Sequence, residues 1–326
     1  MNIKKIGLTA LAGSLVATSL VAGEMAVTGS ASMKVRHVDT NSAGKAYSMG
    51  NQLEFAGSGE LENGLDVKLS FVLDQNDDST AAGAAKSVNT GTPFDSHSVS
   101  IGSDALGTLV FHGEGGSSAE SALDTTAAGD LWDNGYGITT ANDPSASATS
   151  DNMLFYTLPE LADGVAITAS YTPRGAGAID SSSALGLVYT GVEGLSVSLG
   201  QGENNSSAGA TADATTMKVS YAIGSITLGY SDHEFDSQTN ASDQDVKSMN
   251  FSYTLTEDIS ISYGEDEIAK PSVGGDQDIK VSAVSGSFTT GGMTLGVMVG
   301  DVENNAHGTS AAQDKEMWHL TASFAF

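Results

Sequence analysis

The sequence predicts an all-β chain: a closed antiparallel up-and-down transmembrane β-barrel of 16 strands, with short periplasmic turns and long external loops. Three observations predict it. Apolar and polar residues alternate along most of the chain, with no stretch of 3.6-residue periodicity. The links between the alternating segments switch strictly between short and long, a sorting that an up-and-down barrel imposes and a soluble sandwich does not. After the first 23 residues no apolar run reaches spanning-helix length, so in a membrane this chain satisfies its backbone only by closing a sheet on itself.

Composition narrows the function classes. Of 326 residues, 40 are Asp or Glu and 13 are Lys or Arg, a formal charge of −27. Such a chain cannot displace counterions from a phosphate backbone, which excludes nucleic acid as a partner. The absence of Cys removes disulfides, thiolate zinc sites and a cysteine nucleophile. With 39 Gly and little Lys or Arg, long amphipathic helices lack their usual ingredients.

Residues 1–23 read as a signal peptide, with Lys4 and Lys5 as the basic start, Leu8 to Ala22 as the apolar stretch and Val21-Ala22-Gly23 as the cleavage site. Cleavage leaves 24–326 as one barrel domain with a charge of 11 − 40 = −29. Alternation opens it: Met25, Val27, Ala31, Met33 and Val35 share one parity, and Thr28, Ser30, Ser32, Lys34 and Arg36 the other. Further segments follow at 46–61, 65–73, 97–102, 107–112, 152–158, 165–172, 183–190, 195–200, 214–222, 225–231, 245–254, 259–264, 278–288, 293–299 and 315–326. Parity breaks in 278–288 near Ala283-Val284, which predicts a bulge or a misplaced end.

Charge sorts with loop length. The long links hold 25 of the 40 acidic residues and only Lys45, Lys86, Arg174 and Lys270 as bases, a sum of −21. Gathered at one rim, they would enrich cations at the mouth of a pore and repel anions. Tyr47, Tyr156, Tyr171, Tyr189, Tyr221, Tyr230, Tyr253 and Tyr263 all fall in predicted strands. Barrels place such girdles at both membrane interfaces, although β-propensity alone also favours Tyr in strands. The last segment puts Trp318, Leu320, Ala322, Phe324 and Phe326 on one parity and stops at Phe326.

With these residues the chain resembles the general porins of Gram-negative outer membranes, most closely the alpha-proteobacterial sixteen-stranded type. The resemblance spans the whole chain. It is carried by the signal peptide, the opening strand Glu24 to Ala31, the terminal Phe326 with its apolar partners, and the hairpin residues Asn152, Tyr156, Pro159, Gly164 and Tyr171 after the long third loop. It implies a bacterial outer-membrane homotrimer of passive diffusion channels for small hydrophilic solutes and ions, inserted by the outer-membrane assembly machinery and surrounded by lipid and lipopolysaccharide. It implies that Trp318, Leu320, Phe324 and Phe326 serve as the assembly signal. It also implies an inward-folded third loop, residues 113–150, whose Glu114, Glu120, Asp124, Asp130, Asp133 and Asp143 line the constriction. Lys34, Arg36, Lys68 and Lys218, inward by parity, become the basic wall facing those acids. The family's arginine cluster is missing, since Arg36 and Arg174 are the only arginines, so a weak cation preference is expected from the charge count.

Other chemistry finds little support. Asp74 to Asp78 opens like a calcium loop but has Ser79 and Ala85 where Gly and Glu are required. Acidic pairs such as Asp232 with Glu234 and Asp243 with Asp245, and the run Glu265-Asp266-Glu267, hold divalent cations loosely at most, and hydration is the simpler account; no cofactor is expected. The six histidines show no metal-ligand spacing. Two rival readings share part of the pattern. A secreted acidic β-rich calcium-binding structural or adhesive protein would bury its apolar stripes and stay soluble without detergent. A barrel-embedded hydrolase would need a nucleophile, and no G-x-S-x-G stretch supplies one.

Overall fold

Alternation at period two gives each strand one apolar and one polar face, and closing the sheet decides which face meets lipid. In the computed structural model, 16 strands follow one another: β1 (Glu24–Val38), β2 (Lys45–Glu60), β3 (Asp66–Asp74), β4 (Phe94–Ser103), β5 (Gly107–Glu114), β6 (Met153–Thr157), β7 (Val165–Thr172), β8 (Ser182–Tyr189), β9 (Leu195–Glu203), β10 (Asp213–Ile223), β11 (Ile226–Asp236), β12 (Gln244–Thr254), β13 (Ile259–Ala269), β14 (Ile279–Thr290), β15 (Met293–Glu303) and β16 (Lys315–Ala325). The structure describes residues 23–38, 45–74, 94–129, 131, 144–148, 151–174, 180–205, 211–237, 242–270, 275, 277–310 and 313–326. The expected signal peptide, apart from Gly23, lies outside the described residues.

Each strand pairs antiparallel with its neighbours in sequence, and β1 pairs with β16, so the barrel is closed. The seam continues past the last strand, where Gly29 N donates to Phe326 O at 2.7 Å and Phe326 N to Gly29 O at 2.9 Å. One short turn shows how tightly the periplasmic links are made. Gly291 (φ 53°) and Gly292 (φ 82°) join Thr290 to its partner Met293, and positive φ at both positions is what a two-residue type I′ hairpin demands.

The outward face carries the large apolar side chains, including Met25 at 77% exposure, Leu185 at 62% and Val299 at 60%. Such a surface is unfavourable in water and suits a hydrocarbon surround. Ser, Thr and Gly fill much of the inward face, and apolar residues interrupt it in places, among them the small cluster Ala212, Ala214 and Phe235. Val246, Ile268, Ile279, Val281, Ala283, Met298, Val302 and Met317 form a buried apolar patch inside the barrel on β12 to β16. This patch explains the parity break. β14 runs through 283 and 284 without a register shift, Ala283 points inward into the patch and Val284 points outward. The irregularities fall instead between Val72 and Leu73 and between His97 and Ser98.

Several strands are longer at the external end than their sequence pattern suggests. β11 continues through Asp232, Glu234 and Asp236, β13 through Glu265 and Glu267, and β15 through Asp301 and Glu303. These carboxylates belong to the wall rather than to the links. They occupy the outward parity above Tyr230 and Tyr263, whose hydroxyls donate to Asp232 and Glu265. A strand that rises past the apolar band into water needs no apolar face there, so alternation vanishes while the ladder persists.

Candidate functional site

The described residues of the link between β5 and β6 turn into the lumen and lie against the inner wall. A backbone can settle there only where the wall leaves room and offers partners, and this wall does both. Where the loop comes closest, the inward residues of β8 and β9 are Gly186 and Gly200: a Cβ on Gly186 would stand 2.5 Å from the Ala119 carbonyl oxygen, and one on Gly200 would stand 2.8 Å from Leu123 Cδ1. Glycine inside a strand marks such close approaches. Around this groove the wall's hydroxyls meet the loop's backbone. Ala119 N donates to Ser170 Oγ at 2.9 Å, Ala127 N and Ala128 N donate to Ser248 Oγ at 3.0 and 2.8 Å, and Ser231 Oγ donates to Thr125 O at 3.0 Å. The returning arm is held too, by Ser145 N to Gln244 Oε1 at 2.6 Å and Ala148 N to Glu203 O at 3.0 Å. Leu131 seats on the apolar patch, with Ala128 packed beside it.

Glu120 is the centre of this attachment. It is completely buried, accepts from Ser147 N at 2.9 Å and from Thr216 Oγ1 at 2.5 Å, and lies 3.5 Å from His233 Nδ1. Burial by itself would push its carboxyl upward, but hydrogen bonds from His233, Ser147 and Thr216 outweigh that and hold it at about 2, below its ordinary 4.5. A carboxyl depressed in this way contributes stability that is fully present above 4.5 and withdrawn as the pH falls through about 2. Urea unfolding in detergent should therefore show a stability gap between the native protein and Glu120→Ala that is wide near neutrality and narrows in strong acid.

The expected site residues take separate places. Asp124 enters the lumen and pairs with Lys218 of β10 at 3.0 Å. Glu120 faces the wall rather than the water. Glu114 ends β5 and lies 3.8 Å from His97 Nδ1. Asp130, Asp133 and Asp143 lie outside the described residues. Lys34 and Arg36 of β1 and Lys68 of β3 face inward from strands on the other side of the barrel, and Lys68 is 4.0 Å from Glu54. Trp318, Leu320 and Phe324 share the outward face of β16, with Phe326 just beyond it at 73% exposure. Among the described residues no cluster of three or more His, Asp or Glu is placed to hold a metal ion.

The wall residues Ser170, Gly186, Thr216, His233 and Ser248, which hold the loop, were not singled out by motif or spacing. One signal was available: glycines at inward parity in strands of otherwise good β-formers.

Comparisons with known proteins agree with this geometry. The family described as Gram-negative porin matches residues 7–278. Among solved structures, the anion-selective porin from Comamonas acidovorans is similar at a TM-score of 0.69 and 14% identity, covering 93% of this chain and 100% of that one. An engineered mutant of the Rh. blastica porin is similar at 0.66 and 13%, with 93% and 100% covered. OmpT, an outer membrane protein of Vibrio cholerae solved in a trimer form, is similar at 0.64 and 14%, with 94% and 100% covered. At such identities the likeness is one of fold. No curated protein matches the chain.

Proposed function

The chain belongs to the Gram-negative porins, outer-membrane diffusion channels, and from that premise we propose its finer character: a homotrimeric channel for small hydrophilic solutes, weakly preferring cations, with the third loop as its constriction. The observation that carries this is a loop bonded along both arms to the inside of a closed barrel. A sheet of 16 strands encloses more space than side chains fill, and a loop fixed inside it limits what passes. Passage of this kind requires no turnover, and the reading assigns no catalytic residue.

Fold alone leaves the sign of selectivity open, because one of the similar structures is an anion-selective porin. Charge supports cations here. Lys68 and Lys218 each lie beside a carboxylate, Glu54 and Asp124, and the external ends of β11, β13 and β15 add further acids. The trimer is supported by the trimer form of OmpT, and an assembly role for Trp318, Leu320, Phe324 and Phe326 by their place on and just past the closing strand. Lipid and lipopolysaccharide would meet the outward apolar band and the carboxylates above it.

Recording from the purified protein in a planar bilayer under a salt gradient tests the proposal. Stepwise conductance is expected, with a reversal potential on the cation side. A chloride-side potential would refute the preference, and folded protein without conductance would refute the channel.

A further inference from the structure

His233 is completely buried beneath the loop and touches both of its arms. It stands on β11 directly opposite Thr216 of β10. Its Nε2 lies 2.6 Å from the Ser145 carbonyl oxygen on the returning arm. Its Nδ1 lies 2.7 Å from Thr216 Oγ1, and that hydroxyl lies 2.5 Å from Glu120 Oε1 on the entering arm.

Counting hydrogens fixes what this chain must contain. A carbonyl only accepts, so Nε2 carries a hydrogen. Thr216 has one hydroxyl hydrogen and two partners. If it goes to Glu120, Nδ1 must be protonated as well; if it goes to His233, Glu120 must be the neutral acid. Both arrangements hold one proton more than a carboxylate beside a neutral imidazole, and both leave the trio without net charge. Take that proton away and two acceptors compete for one hydroxyl in a site closed to water, where an unsatisfied group is costly.

We infer that His233 is the positioning residue of the constriction: through one proton shared with Glu120 across Thr216 it ties both arms of the loop to the wall, and raising the pH loosens them. The inference rests on the loop being the constriction. Inward on the packed elements, the other charged groups among the described residues are the Lys218 and Asp124 pair and the buried Asp266 of β13. Beside the cluster, the inward residues of β9 and β12, namely Gly200, Gly202, Gln244, Val246 and Ser248, carry no charge. Across the sheet, Asp232, Glu234 and Asp245 are acidic, and Lys247, paired with Asp232, is basic.

Bilayer recordings of the full chain, with pH stepped from mildly acidic to alkaline, test this on the native protein, Glu120→Gln and His233→Ala, each first checked for a heat-shifted band on gels. Glu120→Gln supplies the hydrogen covalently. Its amide donates to Thr216, whose hydroxyl then donates to a neutral His233, so its current should be quiet at every pH. The native channel should grow noisy in alkali, its loosened fraction rising about tenfold, the effect of losing one hydrogen bond at a buried charged group. His233→Ala should be noisy throughout. If it fails to fold, His233→Gln can still donate to Ser145 but cannot hold the shared proton, and its noise should not depend on pH. A native channel that conducts with the same quiet current across the range overturns the inference, and so does Glu120→Gln responding to pH as the native protein does. A native protein that does not conduct overturns the channel reading instead.

Discussion

Arginine at Val297 is expected to prevent stable insertion. Val297 lies midway along the outward face of β15, opposite Gly286 of β14 and Leu320 of β16, and is 45% exposed. A guanidinium there would face the middle of the hydrocarbon, where a lipid-facing Arg costs about 2–4 kcal/mol in an outer-membrane barrel. That is a large part of the net stability of many folded chains. Ser285 of β14 pairs with the inward Met298 and faces the lumen, so Ser285→Arg should change the folding free energy far less. Urea titration of folding into lipid vesicles measures both. Equal losses at the two positions would mean that the assignment of faces is wrong.

The second large effect concerns the seat of the loop. Replacing Gly186 with Leu should expel the entering arm from its groove, because even the Cβ would fall 2.5 Å from the Ala119 carbonyl oxygen and 2.6 Å from Thr168 Oγ1. The first obstacle is backbone and cannot rotate away. Overpacking of this kind costs about 1–3 kcal/mol in a rigid surround. Here the loop is the softer partner, while the strand itself gains a residue with better β-propensity. The barrel should therefore still fold, and the cost should appear as a displaced loop with a larger single-channel conductance. Unchanged conductance from a folded Gly186→Leu barrel would show that the loop does not limit the passage.

The contrast between these two sites explains what could be read from the chain beforehand. Membrane-spanning strands advertise themselves, since Met25, Val27, Met33 and Val35 must meet lipid while Ser30, Ser32 and Lys34 must not. Sixteen strands and their alternating links were legible for that reason. Legibility ended where the physical demand changed. Past Tyr230 and Tyr263 the strands leave lipid, so Asp232, Glu234, Glu265 and Glu267 resemble a loop although their backbone stays in the ladder. Inside, Val281 and Ala283 are apolar because they underlie the loop side of the lumen, and this disturbed the parity of β14. The attachment of the loop was less legible still. Its bonds join residues as far apart as Ala127 and Ser248, and no local pattern reports a partner at that separation. Asp124 and Lys218 were read as opposing walls of a passage, whereas they touch one another; parity gives the face of a strand but not its distance from a loop.

The loop's described residues and the buried apolar patch lie together against β7 to β16. These described residues therefore narrow the lumen from one side, with a hydroxyl-rich bank, so a flat molecule and a round one of equal volume should meet unequal resistance in passing them.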